Sequence, residues 1–514
     1  MLNPKTLALT PLMFLLVGVP ALAADAGATS DAGVPDAVTA DAEAPAVAEA
    51  APAESEATVS SGGGLFEQSI AEASSGSSEP SSVASGLSLS GYLRGDMYVG
   101  KVMGEGAADL KTGYGEVALQ VRSTKESWGD GFAELRLRYG QQGDIQGTFV
   151  DVREAYVNTY VGPVDIRLGK QVVVWGRADL LNPTNNITPN DLRIRSPIED
   201  DRRVGNVGAR VNVRLSPVRL EAVWMPTYVP SELPQVFMPQ FTSFGTPVYP
   251  SANIKNGLVA GRVHLELPSI EMSVSYLRGY APLPGLMLES LTFDAENPSV
   301  KISRTAYEHQ VVGLDFSTAI GSLVALRGEA AYRRPTDYKD KIYSARPDVQ
   351  YALGADRTFG PVMVIVQYLG RYAFDWEKEK GPNMELDPTV LLIDPNTPEG
   401  AEEIAAVRGT YTNSINSQLA RMSQILFSQT EKVQHLASMR VEWLGMDEKL
   451  SLSAIGMVNV STKEWLAAPK IGYHISDTLM AYVGAEVLTG PRGTLFGLVD
   501  QTLSAGYVEL RSTF

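Results

Sequence analysis

The most distinctive stretch of ionisable side chains lies between Gly169 and Arg203, GKQVVVWGRADLLNPTNNITPNDLRIRSPIEDDRR. Lys170, Arg177, Arg193, Arg195, Arg202 and Arg203 stand there beside Asp179, Asp191, Glu199, Asp200 and Asp201. Both signs are near balance, and the turn formers Asn182-Pro183 and Pro189-Asn190-Asp191 break the run into a folded loop. Such a set does not spell a reaction. It suits fixed charges at a narrow passage, where a low-dielectric wall strengthens each field and sorts ions by sign. Pairing among these charges to brace the loop is the other reading, and the two are compatible.

Other chemistry is thin. The four histidines, His264, His309, His435 and His474, include no two at metal-ligand spacing. Neither a metal nor another cofactor is expected. No nucleophile elbow is found, and the one Ser near a His within an element is in His474-Ile475-Ser476, at a turn signal. No catalytic residue is expected, and the chain does not read as an enzyme. The net charge of −16 argues against a nucleic-acid partner.

The elements that must carry the charged segment announce themselves by period. In Leu87-Ser88-Leu89-Ser90-Gly91-Tyr92-Leu93-Arg94-Gly95-Asp96-Met97-Tyr98-Val99 every charge falls on one parity, the mark of a strand with one apolar face. The alternation returns at residues 132–138, 164–168, 207–215, 258–267, 272–280, 324–332, 362–372, 439–444 and 508–514. Runs of about ten residues suit tilted strands crossing a bilayer. Tight links (Gly162-Pro163, Ser216-Pro217, Pro268-Ser269) largely alternate with long ones (174–204, 226–256, 281–307, 375–432). The link at Ser461-Thr462 is short where a long one is due. The pattern predicts an all-β, antiparallel transmembrane barrel of about 16–18 strands, eighteen being the count preferred.

Before the strands the composition differs. Residues 1–24 read as a signal peptide, with Lys5, an apolar stretch and Ala21-Leu22-Ala23 before the cut. Residues 25–86 are rich in Ala, Asp, Glu, Pro and Ser, and residues 1–86 carry −10 of the net charge. Too little apolar surface is available there to offset the entropy of ordering, so a disordered acidic leader is expected ahead of a barrel at 87–514. In the longest link Thr397 can cap a helix opened by Pro398, with Ile404, Val407, Tyr411, Ile415, Leu419, Met422 and Leu426 on one face. Capping the mouth, plugging the lumen and packing on neighbouring loops are all open to it.

Two resemblances follow from these residues. The end of the chain, with Phe514, Leu510 and Val508 at steps of two, resembles the terminal signature by which outer-membrane barrels are recognised for insertion; Ser512 departs from it. Gly169-Lys170-Gln171, Trp175-Gly176-Arg177-Ala178-Asp179 and Asn182-Pro183-Thr184 together resemble a segment of a little-characterised family of proteobacterial outer-membrane, porin-like barrels. The match covers about thirty-five residues. It implies a Gram-negative outer membrane, with its lipid and lipopolysaccharide around the barrel, the barrel assembly machinery as inserting partner and the leader in the periplasm. By analogy with trimeric porins, which the chain does not match in sequence, residues 174–204 are expected to fold into the lumen as a constriction. The function expected is passive diffusion of small hydrophilic solutes. The alternatives are an export or accessory component using a periplasmic partner of the leader, and a closed structural or adhesive barrel.

Overall fold

Side chains that alternate along a strand meet two different media, and here the apolar side faces out. In the first strand Leu93 and Met97 are 50% and 56% exposed, while Arg94 and Asp96 between them are 3% and 2% exposed. A soluble sandwich hides its apolar face; this arrangement is inverted, as hydrocarbon outside and polar lumen inside require. The computed structural model describes residues 86–101, 108–125, 129–142, 145–232, 242–292, 299–321, 323–379, 393 and 397–514, with the side chains of residues 199 and 501 excepted. The signal segment and, up to residue 85, the leader lie outside the described residues.

The strands are β1 (Leu87–Lys101), β2 (Ala108–Lys125), β3 (Gly129–Gln142), β4 (Ile145–Val161), β5 (Val164–Gln171), β6 (Asn206–Leu215) and β7 (Val218–Met225). They continue with β8 (Thr242–Phe244), β9 (Leu258–Leu267), β10 (Ile270–Tyr280), β11 (Gly285–Thr292), β12 (Ser299–Thr305), β13 (Glu308–Ile320) and β14 (Val324–Pro335). The last are β15 (Asp348–Phe359), β16 (Val362–Ala373), β17 (Val433–Gly445), β18 (Leu450–Asn459), β19 (Glu464–His474), β20 (Leu479–Thr489) and β21 (Ala505–Thr513). All but β8, β11 and β12 form one antiparallel sheet of eighteen strands, closed where β21 pairs with β1. At the seam Gly91 and Phe514 exchange backbone hydrogen bonds of 2.9 and 3.0 Å. Eighteen is the preferred count from the period. Closure leaves no sheet edge, which is what lets strands cross lipid at all.

Short turns and long loops segregate to opposite ends, as the link lengths predict. Residues 460–463 make a tight turn at the loop end, where the link lengths called for a long one. The loops also carry structure that the period did not signal. β11 pairs antiparallel with β12, and β8 adds in parallel. Helix α2 (Leu495–Leu503) fills the last loop. The predicted helix is present as α1 (Pro398–Leu426), with the Thr397 hydroxyl accepting from Gly400 N at 3.1 Å. Thr397→Ala should destabilise α1 by about 1 kcal/mol, seen as faster amide exchange in its first turns and unchanged exchange in its last.

α1 is exposed over its first half and buried over its second. Ile415, Leu419, Met422, Ile425 and Leu426 join one cluster with Leu495, Phe496 and Val499 of α2 and with the inward residues Ile455, Met457, Leu466 and Leu488. The helix therefore enters the lumen mouth and also packs on the loop sheet through Leu286 and Ile302. One ladder is incomplete. Between β19 and β20 the pairs Ala467–Val487 and Lys470–Gly484 share a register, yet Ala468–Glu486 and Pro469–Ala485 are missing between them. Pro469 has no N–H to donate.

Candidate functional site: a charged segment across the lumen

The chain leaves β5 at Gln171 and turns inward rather than outward. Glu154 on β4 accepts from Val172 N (2.8 Å), and the Thr188 hydroxyl bonds both N (2.9 Å) and O (2.6 Å) of Val173. Trp175, only 2% exposed, sits in a second apolar patch of the lumen with Val223, Met225, Leu258, Leu277 and Val311. Its indole donates to Glu221 Oε1 at 3.1 Å. Gly176 follows with φ +112°, where a Cβ would come within 2.3 Å of Asn182 Oδ1 and 2.8 Å of Glu329 Oε2. Only glycine allows the turn to seat this close to the wall.

From there the segment crosses the lumen, fixed by charge-assisted hydrogen bonds on all sides. Arg177 donates to Asp315 on β13 (2.7 Å) and to Glu271 on β10 (2.8 Å). Asp179 pairs with Arg440 on β17 at 3.0 Å. Glu329 on β14 receives Ala178 N (2.9 Å), Thr184 N (3.3 Å) and the Thr184 hydroxyl (2.5 Å). Leu180 N donates to Gln367 on β16 at 3.2 Å. At the far side Arg195 donates to Glu486 on β20 and to Leu503 O, each at 2.8 Å, and its carbonyl accepts from Tyr114 on β2 (2.7 Å). Asp201 lies between Arg94 on β1 and Arg136 on β3, the latter at 2.8 Å, and Asp200 pairs with Arg153 on β4.

The eleven charges singled out in the sequence thus part company. Arg177, Asp179, Arg195, Asp200 and Asp201 bind the wall. Arg193 instead chelates Asp191 two residues away, at 2.9 and 2.8 Å, and is 37% exposed in its side chain. Arg203 pairs with Asp200 at 3.3 Å, and Arg202 is buried. Lys170 pairs with Asp151 on β4 at 3.2 Å, away from that wall-bound set. Burial works against the ionised form of Asp201, but the guanidinium groups of Arg94, Arg136, Arg511 and Arg153 outweigh it and hold the carboxyl well below its usual range. The geometry is bracing first: each wall-bound charge is matched by an opposite charge of the barrel.

The wall partners were not singled out in the sequence. Glu221, Glu271, Asp315, Glu329, Glu486 and Arg440 stand on strands whose parity marks an inward face, so that signal was available; which of them meet the segment was not. Of the histidines, His264 is buried between Glu221 Oε2 (3.2 Å) and Arg219 (3.1 Å). Among the described residues no group of three or more His, Asp or Glu is arranged to hold a metal ion. Two cavities flank the segment. One of about 250 Å³ is lined by polar groups including Asn186, His309, Arg333, Asp348 and Arg371. Another of about 180 Å³ lies among Leu181, Leu369, Ile425, Met457, Leu495 and Phe496.

A closed eighteen-stranded barrel, apolar outside and charged within, with an internal segment folded across its lumen, defines a porin-like transmembrane barrel. The chain belongs to the family described as a protein of unknown function, DUF1302, whose model matches residues 102–434. A search of curated proteins finds no match. Among solved structures it is similar to OccK3 (OpdO) of Pseudomonas aeruginosa at 10% identity, over 83% of this chain and 95% of that one, with a TM-score of 0.45. A BenF-like porin from Pseudomonas fluorescens Pf-5 aligns at 8% identity over 84% and 97%, TM-score 0.47. OccAB4 of Acinetobacter baumannii aligns at 9% over 84% and 98%, TM-score 0.46. Likenesses at this level carry nothing about solute.

Proposed function

We propose that this protein is an outer-membrane channel for passive diffusion of small hydrophilic solutes, with residues 174–204 as its constriction. The observation that carries the reading is the path of that segment: it lies inside the barrel and is anchored by charge to strands on opposite walls. Beside it lies the polar cavity lined by Asn186, His309, Arg333 and Arg371. The charges act by holding the segment at a fixed width, and their field at that width sorts ions. No bond is made or broken in this role.

Arg177 is held by β10 and β13 and Arg195 by β20, so the two report on separate anchors of the segment. In planar bilayers the intact protein should give small, steady single-channel currents. Arg177→Ala and Arg195→Ala should each give larger, noisier currents with a shift of reversal potential toward cations. Zero current from a folded intact barrel would sink the channel and leave a closed structural barrel, a reading that the apolar packing of α1 and α2 in the mouth favours. Cleavage after residue 24, a periplasmic leader over 25–86 and delivery by the barrel assembly machinery complete the proposal. A mature protein whose mass still includes residues 1–24 would contradict the first of these.

A further inference from the structure

The polar cavity of about 250 Å³ lies between the constriction, which gives it Asn185, and Ser428 beyond the end of α1. Its ionic lining is one-sided. Arg333 at the end of β14, Arg346 in the following loop and Arg371 near the end of β16 share it with a single acid, Asp348 of β15. Three guanidinium groups against one carboxylate leave an excess of two positive charges. Asp348 is already engaged: it accepts from Nε (2.8 Å) and Nη2 (2.6 Å) of Arg333 and stands 3.4 Å from Nε of Arg371. Arg371 also donates to the carbonyls of Phe427 (2.5 Å) and Ser428, and Arg346 to that of Tyr338 (3.3 Å). Carbonyls hold these groups in place without neutralising them. Two buried polar atoms of the same lining lack a hydrogen-bond partner: Nε2 of His309, a residue 4% exposed, and Oδ1 of Asn185. Positive charge drawn out of water is costly until an anion matches it.

We propose that this cavity is a binding site for a phosphate dianion, either the free ion or a small monoester. A phosphoryl group carries a charge of about −1.5 to −2 near neutral pH, which matches the excess of two. A monocarboxylate would leave one charge unmatched, and an ammonium group would add to the excess. Guanidinium forks suit phosphate oxygens, and Nε2–H of His309 supplies a further donor. Oδ1 of Asn185 accepts from the proton that free phosphate retains, or from a hydroxyl of the ester. The volume equals that of roughly eight liquid waters, room for phosphate with a small organic group and too little for a nucleotide. Passage of the bound ion through the barrel rests on the channel proposed above; binding itself does not.

The test is isothermal titration of the refolded barrel in detergent, at about pH 8 and fixed ionic strength, with folding checked by heat-modifiable electrophoretic mobility. Inorganic phosphate and glycerol 3-phosphate are the probes, with acetate and succinate as controls. The intact protein should bind one phosphate per barrel, with acetate about tenfold weaker or worse. Tighter binding of glycerol 3-phosphate assigns the site to the ester; tighter binding of inorganic phosphate assigns it to the free ion. Arg346→Ala removes a half-buried charge bonded only to loop carbonyls among its described contacts, and His309→Phe removes the unpartnered nitrogen while keeping a ring. Each should weaken phosphate about tenfold. Arg278→Ala, outside the cavity and paired with Glu308 at 3.0 Å, should leave the affinity unchanged. Absence of phosphate binding by the intact barrel, full affinity in either folded cavity variant, or succinate binding as tightly as phosphate overturns the assignment. Bilayer current is read in parallel. A barrel that binds phosphate but passes no current keeps the site and loses the channel, and one that conducts without binding loses only the site.

Discussion

Asp201→Ala should release the constriction at its β1–β3 anchor and raise the open-channel current. Asp201 is buried and shared by Arg94 and Arg136. Removing one partner of a buried pair costs about 3–5 kcal/mol because the remaining charge stays desolvated. Here the lower end applies, since Arg94 keeps Glu116 at 2.7 Å and Arg136 keeps Glu134 at 2.5 Å. The segment should become cleavable by added protease within residues 189–204. Arg193→Ala is the contrast. That side chain is over a third exposed and paired mainly with Asp191, so a change of about 0.5 kcal/mol or less is expected. Equal protease resistance in Asp201→Ala and the intact protein would show that other contacts hold the segment.

The same carboxyl sets the acid limit of the device. Its pKa in the folded protein is held below the unfolded value of about 3.9. A depressed carboxyl contributes stability that is fully present above its unfolded pKa and is lost as pH falls through its folded one. The part of the current that Asp201 controls should therefore be flat from neutral pH to about pH 4 and rise only in stronger acid. A step in current between pH 7 and pH 5 would assign the gating to some other group.

Trp175→Ala should be comparably severe for a different reason. The indole fills an apolar patch walled by β7, β9, β10, β13 and β14, and truncating a buried Trp costs about 3–5 kcal/mol through lost burial and the cavity left behind. The electrostatic part is small. Glu221 loses the indole donor but keeps Arg210 at 2.8 Å and His264 at 3.2 Å. The first part of the segment should detach, giving flicker between the native current and a larger one. Trp175→Phe keeps most of the volume and should restore steady current. If Phe behaves like Ala, the hydrogen bond matters more than the packing.

Much of this molecule could be read along its length, because strand period and link length are local properties. Leu87 opens β1 where the alternation starts, and Thr397 and Pro398 open α1 where the capping signal stands. Long-range pairing is another matter. Arg195 and Glu486 are 291 residues apart in the chain, and nothing near either names the other. Parity identifies an inward Glu but cannot say whether it faces water or an arginine. Lys170 and Arg193 were grouped with the other charges by proximity in sequence, yet they find partners on β4 and within their own turn. α2 was missed because nine residues hold too few periods to stand out from a loop.

The order in which this structure can be assembled follows from who anchors the segment. Residues 172–205 are synthesised within the first half of the chain, yet their seats include Arg440 on β17 and Glu486 on β20 as well as Arg94 on β1. Contacts spanning hundreds of residues form late, after the loop entropy of the intervening chain has been overcome. The wall must therefore close before its own obstruction can be seated, and a nascent barrel passes through a stage that is wide open. A chain interrupted before β20 would remain at that stage, with Arg195 lacking its acceptor.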